Sequence, residues 1–93
     1  MTSEKILFVD DEQNLLDGLR RQFRNKIDVD FAASGKEGLE KLSGSNSFAV
    51  VVSDMRMPEM GGIEFLTKVK QQSPLSVRLM LTGNADQETA VRA

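Results

Sequence analysis

Four polar residues stand directly after apolar runs of the sequence. Asp10 and Asp11 follow the first run, Asp54 follows the third and Thr82 follows the fourth. Three carboxylates brought close together repel each other unless a cation neutralises them or one takes up a proton. Their hard oxygen atoms suit magnesium, manganese or calcium, and partly hydrated magnesium commonly acts on phosphate. The residue types therefore indicate phosphate chemistry, with the Thr82 hydroxyl as a donor to a phosphoryl oxygen.

The composition removes most other kinds of chemistry. The 93 residues include no cysteine and no histidine, which excludes disulfides, thiol nucleophiles, imidazole bases and zinc sites built from thiolate or imidazole ligands. A net charge of −2, with scattered lysine and arginine, makes neither nucleic acid nor an anionic membrane an obvious partner. The first apolar run is too short for a signal peptide or a membrane span, so we expect a cytoplasmic location.

The four polar residues must be positioned by the elements before them. Apolar and alternating runs predict four strands, and apolar residues at helical spacing predict helices between them. A Ser-x-x-Glu capping box at 34–37 begins the second helix, and Ser73-Pro74 ends the third. A further helix is expected to begin at 84–87. The predicted strands cover 5–9, 28–32, 48–53 and 77–81.

This alternation of strands and helices predicts one α/β domain over residues 1–93. Its doubly wound parallel sheet would carry helices on both faces, joined by right-handed crossovers. In such a sheet strands one and three are neighbours, and ligands sit beyond the carboxyl ends of the strands. We therefore expect Asp10, Asp11 and Asp54 to converge at one edge of the sheet.

Each candidate also has a purely structural interpretation. Asp11 can cap the first helix, Asp54 can close a loop turn, and Thr82 can be an ordinary strand-forming residue. Unrelated caps, however, would not be expected to stand at the same edge of the same sheet. The coincidence of all these residues at strand ends favours a shared site.

Other residues are assigned no chemistry. Two helical stripes are expected to belong to the core, three methionines to fill a bent loop, and four basic residues to form a solvated face. The stripes are Leu15, Leu19 and Phe23 in the first helix and Ile63, Leu66 and Val69 in the third; the methionines are Met55, Met57 and Met60; the basic residues are Arg20, Arg21, Arg24 and Lys26.

Three stretches of the chain resemble the receiver domains of two-component response regulators. They are FVDDE at 8–12, SDMRMPEMGGIEFL at 53–66 and LMLTGNAD at 79–86. Their order and spacing agree with that family along the whole chain. The resemblance implies a flavodoxin-like fold with strand order 2-1-3-4-5, of which this chain would supply 2-1-3-4 and lack the fifth strand and fifth helix.

The resemblance also implies a role for each candidate residue. Asp54 would be the phosphoacceptor, taking a phosphoryl group from a histidine kinase or phosphotransfer protein. Asp11 would bind Mg²⁺ directly together with Asp54, Asp10 would act mainly through a coordinated water, and Arg56 would supply its backbone carbonyl. Thr82 would be the switch hydroxyl that moves onto the new phosphate. An effector domain would lie outside this chain.

Further expectations concern the loops and the fourth strand. Pro58 and Gly61 would shape the loop beside the acceptor, while Arg56 and Asn84 would border the attacking water and tune the lifetime of the phosphoryl group. The fifth strand of the family, and the lysine that follows it, do not occur in the sequence given. One edge of the fourth strand would then be unpaired, and we expect self-association or exchange of elements through it.

Two other classes of function remain open. One is an interaction module that keeps the fold and signals by binding alone, without phosphorylation. The other is a magnesium-dependent phosphohydrolase of the haloacid-dehalogenase type, which also uses an aspartate nucleophile at a strand end. Those enzymes usually place a second acid two residues after the nucleophile, where this chain has Arg56. We therefore expect a signalling domain whose chemistry is limited to its own phosphorylation and dephosphorylation, and which binds neither membrane nor nucleic acid directly.

Overall fold

Strands and helices alternate along the chain as the sequence predicts. The computed structural model describes residues 5–44 and 47–81, and the four strands within them are all parallel, in the order β2-β1-β3-β4. The predicted doubly wound, flavodoxin-like order 2-1-3-4 is confirmed. Thr82, Asn84 and the helix expected from 84 lie outside the described residues. The elements are β1 Ile6–Val9, α1 Gln13–Phe23, β2 Val29–Ala32, α2 Gly35–Leu42, β3 Val50–Asp54, α3 Gly62–Gln72 and β4 Val77–Leu81.

The capping box predicted for the second helix is present at the start of α2. The Ser34 hydroxyl accepts a hydrogen bond of 3.1 Å from the Glu37 backbone N–H. The Glu37 carboxylate in turn accepts one of 2.9 Å from the N–H of Ala33, one residue before the cap. Both bonds satisfy backbone donors at the turn between β2 and α2, and thereby fix where the helix begins.

The main core lies between the sheet and the helices α2 and α3. Its fully buried side chains include Leu7 and Val51 from the central strands and Phe65 and Val69 from α3. The predicted α3 stripe is therefore partly wrong, because Ile63 is 60% exposed and Phe65 takes the buried position. The helix meets the sheet along the row Gly62, Phe65 and Val69, which shares Val69 with the predicted stripe but has its first two members one residue earlier.

The opposite face of the sheet is covered by α1 over part of its width. The Phe8 ring on β1 stacks with Phe23 of α1 at a centroid distance of 6.0 Å. Leu16, not Leu15, is the buried leucine of this helix, since Leu15 is 41% exposed. The assignment of Leu15 to the core is thus wrong. Among the described residues, no helix is long and apolar enough to cross a membrane.

The two edge strands of the sheet differ in how their backbone groups are satisfied. On β2, the N–H of Phe31 donates to the Asp30 carboxylate at 2.8 Å, and the carbonyl of Phe31 accepts from the ammonium group of Lys41. Lys41 also forms an ion pair of 2.8 Å with Asp30. These side chains occupy the hydrogen-bonding positions that a further strand would need, which protects this edge from pairing.

The β4 edge has apolar residues at alternate positions instead. Val77, Leu79 and Leu81 are 54%, 51% and 46% exposed. Leu79 is in register with Val52 and Phe8, so this row lies on the same face of the sheet as α1. Among the described strands, β4 pairs with β3 alone. The unpaired edge predicted for the fourth strand is therefore present in the part of the chain that the structure describes.

Candidate functional site

The three aspartates meet at the carboxyl ends of the two central strands. Strands β1 and β3 are adjacent, and Val9 is in register with Ser53, so the residues that follow them, Asp10 and Asp54, stand side by side. One carboxylate oxygen from each of Asp10, Asp11 and Asp54 lies within 4.8 Å of the others. The structure thus brings together the three residues that the sequence places at strand ends.

Asp10 is the most firmly held member of the cluster. It is 8% exposed, its backbone N–H donates to the Ala32 carbonyl at 3.1 Å, and its carboxylate accepts from the N–H of Glu12 at 2.9 Å. The last bond satisfies a donor at the start of α1, where Glu12 itself makes no side-chain cap. The N-cap of α1 is thus Glu12 and not Asp11, which is exposed beside Asp10.

Burial and like charge both disfavour ionisation in this cluster. Burial raises the pKa of Asp10 above its ordinary value, and the charges of Asp54, Asp11 and Glu12 raise it further, although the hydrogen bond from the Glu12 N–H lowers it. Burial likewise raises the pKa of Asp54; the Met55 and Arg56 backbone N–H groups lower it, and the charges of Asp11 and Glu12 raise it. At both residues, burial and neighbouring negative charges outweigh the backbone hydrogen bonds that stabilise the ionised carboxylate.

The donor set fits a hard divalent cation. All three side chains offer carboxylate oxygens, which Mg²⁺ and Ca²⁺ prefer over nitrogen or sulfur ligands. A separation of up to 4.8 Å between the oxygens allows a small ion to be held by some of them directly and by others through water. A cation at this point would also remove the repulsion that raises the two pKa values.

The loop between β3 and α3 is held against the ends of β3 and β4. The Gly62 N–H donates to the Met55 carbonyl at 2.8 Å, and the Met55 N–H donates to Leu81 of β4 at 3.1 Å. A tight turn centred on Glu59 has φ of 67°, a left-handed conformation that is uncommon outside glycine, and its N–H to C=O bond joins Met60 to Pro58. Pro58 is therefore part of the turn, as predicted.

Gly62, and not the predicted Gly61, is the residue that permits this close approach. A Cβ on Gly62 would lie 2.3 Å from the Asp54 carbonyl oxygen, whereas one on Gly61 would meet its nearest atom at 3.5 Å. The sequence feature that indicated a close approach was the pair of glycines directly before an apolar helix. Met57 and Met60 pack against the core, as expected of loop methionines.

The other predicted site residues have different outcomes. Arg56 is exposed two residues after Asp54, and its backbone N–H acts on the Asp54 carboxylate. Thr82 and Asn84 lie outside the described residues. Glu12 was not singled out from the sequence, yet its charge acts on both Asp10 and Asp54. Glu12 is the third acid in the sequence DDE at 10–12, and this run of acids was the feature that could have indicated its part in the cluster.

Comparison with known proteins identifies the family to which this fold belongs. The profile described as "response regulator receiver domain" matches residues 6–93. The chain belongs to the response regulator receiver family. A response regulator receiver domain protein from Clostridium thermocellum has a similar structure, with a TM-score of 0.82 and 33% identity, covering 95% of this chain and 71% of that one.

Other receiver relatives carry different names. An adenylate cyclase from Rhodopirellula baltica has a crystal structure similar to this chain, with a TM-score of 0.90 and 44% sequence identity. The match covers 99% of this chain and 68% of that chain. The hydrogenase transcriptional regulatory protein HoxA of Cupriavidus necator is 34% identical over 92% of this chain but 18% of its own length. The chain spans between 18% and 42% of the length of three curated relatives that it matches. This receiver is therefore similar to one part of larger regulators.

Proposed function

We propose that this receiver accepts a phosphoryl group on Asp54 and passes on its presence as a conformational signal. The observation that carries the proposal is the meeting of three carboxylates within 4.8 Å at the ends of adjacent strands. Asp54 ends β3, a strand whose Val51, Val52 and Ser53 are buried, so its carboxylate is held by a rigid element. A nucleophile needs such fixed positioning for in-line transfer.

The proposed transfer is a single displacement at phosphorus. A carboxylate oxygen of Asp54 forms a bond to the phosphorus of a phosphohistidine, and the bond from phosphorus to the imidazole nitrogen breaks, with the electron pair leaving on the imidazole. The product is an acyl phosphate on Asp54. This chain has no histidine, so the donor belongs to a partner, a histidine kinase or phosphotransfer protein.

Mg²⁺ is the cofactor that we propose for this step. Asp11 and Asp54 would bind it directly, Asp10 mainly through water, and Arg56 through its backbone carbonyl. When bound, the ion neutralises charge between the carboxylates and the incoming phosphoryl oxygens. The Thr82 hydroxyl would then move onto the phosphate, and Arg56 and Asn84 would tune its lifetime. Neighbouring negative charges help to raise the pKa values of Asp10 and Asp54, and a bound cation would offset them, which supports a cation site.

The proposed output is an effector domain outside these 93 residues. The names of the relatives include transcriptional regulators, an adenylate cyclase and an HD domain-containing protein, so the receiver is shared while the effectors differ. We propose that this chain has no turnover of other substrates, and that its chemistry ends with its own phosphorylation and dephosphorylation. A cytoplasmic location and the absence of direct nucleic acid binding remain predictions.

Acetyl phosphate with Mg²⁺ tests the proposal without a known kinase. We expect the intact mass of the wild-type chain to increase by one phosphoryl group and that of Asp54→Asn to stay unchanged, because the acceptor oxygen is lost. Asp17→Asn, which changes an exposed aspartate of α1, is the matched control and should be labelled like the wild type. An unlabelled wild-type chain that folds and binds Mg²⁺ would favour the unphosphorylated interaction module. Steady turnover of a phosphomonoester would favour the phosphohydrolase.

We further propose that this chain self-associates through β4 and not through β2. The exposed row Val77, Leu79 and Leu81 gives an apolar surface, while the β2 edge is occupied by the side chains of Asp30 and Lys41. Sedimentation over micromolar concentrations should show a dimer or larger species. Leu79→Lys should weaken association at least about tenfold by placing a charge in the interface.

Ile27→Lys is the matched control for this prediction, since Ile27 is 45% exposed but lies just before β2, at the opposite edge of the sheet from β4. It should leave association unchanged within about twofold. A wild-type chain that stays strictly monomeric, or equal effects of the two substitutions, would contradict the assignment of β4 as the interface.

A further inference from the structure

The structure has a concave surface that lies away from the aspartate cluster. It is a depression of about 210 Å³ between the C-terminal half of α1 and the edge strand β2, and we call it the α1–β2 groove. Arg20 follows Gln13, at the end of α1 that borders the aspartates, by seven residues, so the groove begins roughly 10 Å along the helix axis from that end. Its lining residues are Arg20, Phe23, Arg24, Ile27, Val29 and Phe31.

The groove combines an apolar floor with two cationic side chains. The Arg20 guanidinium lies 5.0 Å from the centroid of the Phe31 ring, which fixes it over the floor by a cation–π contact. Arg24 is exposed at the rim, and Ile27 is 45% exposed beside it. Within the described part of the chain, neither arginine forms an ion pair with a carboxylate. The four basic residues are exposed, as expected of a solvated face, and Arg20 in addition contacts the Phe31 ring.

We propose that the α1–β2 groove binds an acidic peptide segment of a partner protein. One apolar side chain of the peptide would sit on Phe23, Ile27 and Val29, and flanking carboxylates would pair with Arg20 and Arg24. Planar guanidinium groups bind carboxylates through two hydrogen bonds, which favours an acidic segment over a merely apolar one. Pairs at the rim add specificity and association rate, while the apolar anchor adds most of the affinity.

The size and shape of the groove argue against other ligands. A volume of about 210 Å³ is below the roughly 300–1,000 Å³ of small-molecule pockets and suits one anchoring side chain. The Phe31 ring lies beneath the Arg20 guanidinium at the floor of a depression, whereas insertion into a lipid bilayer requires a protruding apolar face. Phe31, only 6% exposed beneath Arg20, offers no free ring for stacking with a nucleic acid base.

The β4 row of a second copy is also a poor occupant. This exposed apolar row, Val77, Leu79 and Leu81, is interrupted by Arg78 and contains no carboxylate. Placing it in the groove would bring Arg78 close to Arg20 and Arg24. Charge complementarity therefore favours a different protein whose segment carries aspartate or glutamate around a leucine or phenylalanine.

Fluorescence anisotropy with a defined probe tests this proposal. The probe is a labelled peptide with glutamates flanking one leucine and one phenylalanine, and its two controls replace either the apolar pair by serine or the glutamates by lysine. We expect the full chain to bind the probe with a dissociation constant on the order of 100 µM or tighter. Both control peptides should bind at least about tenfold more weakly.

Two charge reversals on the same helix separate groove binding from general attraction. Arg24→Glu changes a residue that lines the groove, and Arg21→Glu changes a neighbour that does not. Arg24→Glu should weaken binding at least about tenfold, and Arg21→Glu by less than about threefold. Ile27→Ser should weaken it about fivefold or more with the charge unchanged. Circular dichroism melting curves check that each variant is folded.

Several results would overturn the proposal. One is an equal loss of probe affinity in Arg21→Glu and Arg24→Glu. Another is binding of the serine control peptide as tight as that of the probe. A third is no binding of the probe up to about 1 mM. Tighter binding, dependent on Arg24, to phosphatidylcholine vesicles with about a third phosphatidylserine would replace the peptide by a membrane surface. Labelling by acetyl phosphate should be the same in Arg24→Glu as in the wild type, so a failed groove leaves the Asp54 proposal untouched.

Discussion

Gly62→Ala is expected to lower the free energy of unfolding by about 3 kcal/mol or more. The added Cβ would lie 2.3 Å from the Asp54 carbonyl oxygen and 2.9 Å from the Cα of Met55. Both are backbone atoms, so no side chain can rotate away, and the loop after β3 must move. The stability of a domain this small is about 5–15 kcal/mol, which makes the loss a large fraction of the total. Urea denaturation followed by circular dichroism measures it.

The neighbouring Gly61→Ala is the matched control for this prediction. A Cβ there would lie 3.5 Å from the Met55 carbonyl oxygen, an ordinary contact, and Gly61 has φ of −72°, which alanine adopts readily. Gly61 is the N-cap of α3, and we expect Gly61→Ala to lower the free energy of unfolding by about 1 kcal/mol or less. If the two alanines were equally destabilising, the close approach of α3 to the end of β3 would not be the reason for the glycine.

Asp54→Asn is expected to stabilise the chain in the absence of divalent cations. Two unit charges about 5 Å apart repel by about 3 kcal/mol at an effective dielectric constant of about 20, and solvation offsets much of this. We therefore expect a gain of about 1 kcal/mol in the free energy of unfolding with EDTA present. Asp17→Asn, outside the cluster, should change it by less than about 0.5 kcal/mol.

The pH dependence of the same measurement has a definite sign. The pKa values of Asp10 and Asp54 in the folded chain are raised above 3.8. Between pH 3.8 and those raised values, the folded chain binds protons more tightly than the unfolded chain does. Their contribution to stability is therefore largest at low pH, and it falls as pH rises from near 3.8 through the raised native values. The difference between Asp54→Asn and the wild type should grow over this interval. A difference that shrank with rising pH would contradict the repulsion.

The fold was predictable because the strands of this chain end in recognisable ways. Alternating apolar runs, the Ser34 capping box and the break at Ser73-Pro74 defined the order of the elements, and parallel topology then followed from their alternation. The same topology predicted that Asp10 and Asp54 would meet. No knowledge of side-chain packing was needed, since adjacent parallel strands bring their carboxyl ends together.

Details of packing were less predictable. The α3 residues Ile63 and Phe65 are both apolar, and spacing alone could not decide which of them faces the sheet. Gly61 and Gly62 likewise differ only in how close the Asp54 carbonyl comes in three dimensions. The groove depended on contacts between a helix and a distant strand, where Arg20 covers Phe31, and a sequence pattern cannot show such a contact.

The central claim is that Asp10, Asp11 and Asp54 share one divalent ion. Isothermal titration of the wild-type chain with Mg²⁺ tests it most directly, with Asp11→Asn and Asp17→Asn measured alongside. We predict one ion per chain, an affinity at least about tenfold weaker in Asp11→Asn, and an unchanged affinity in Asp17→Asn. No saturable Mg²⁺ binding by the folded wild type, or equal binding by all three proteins, would contradict the claim.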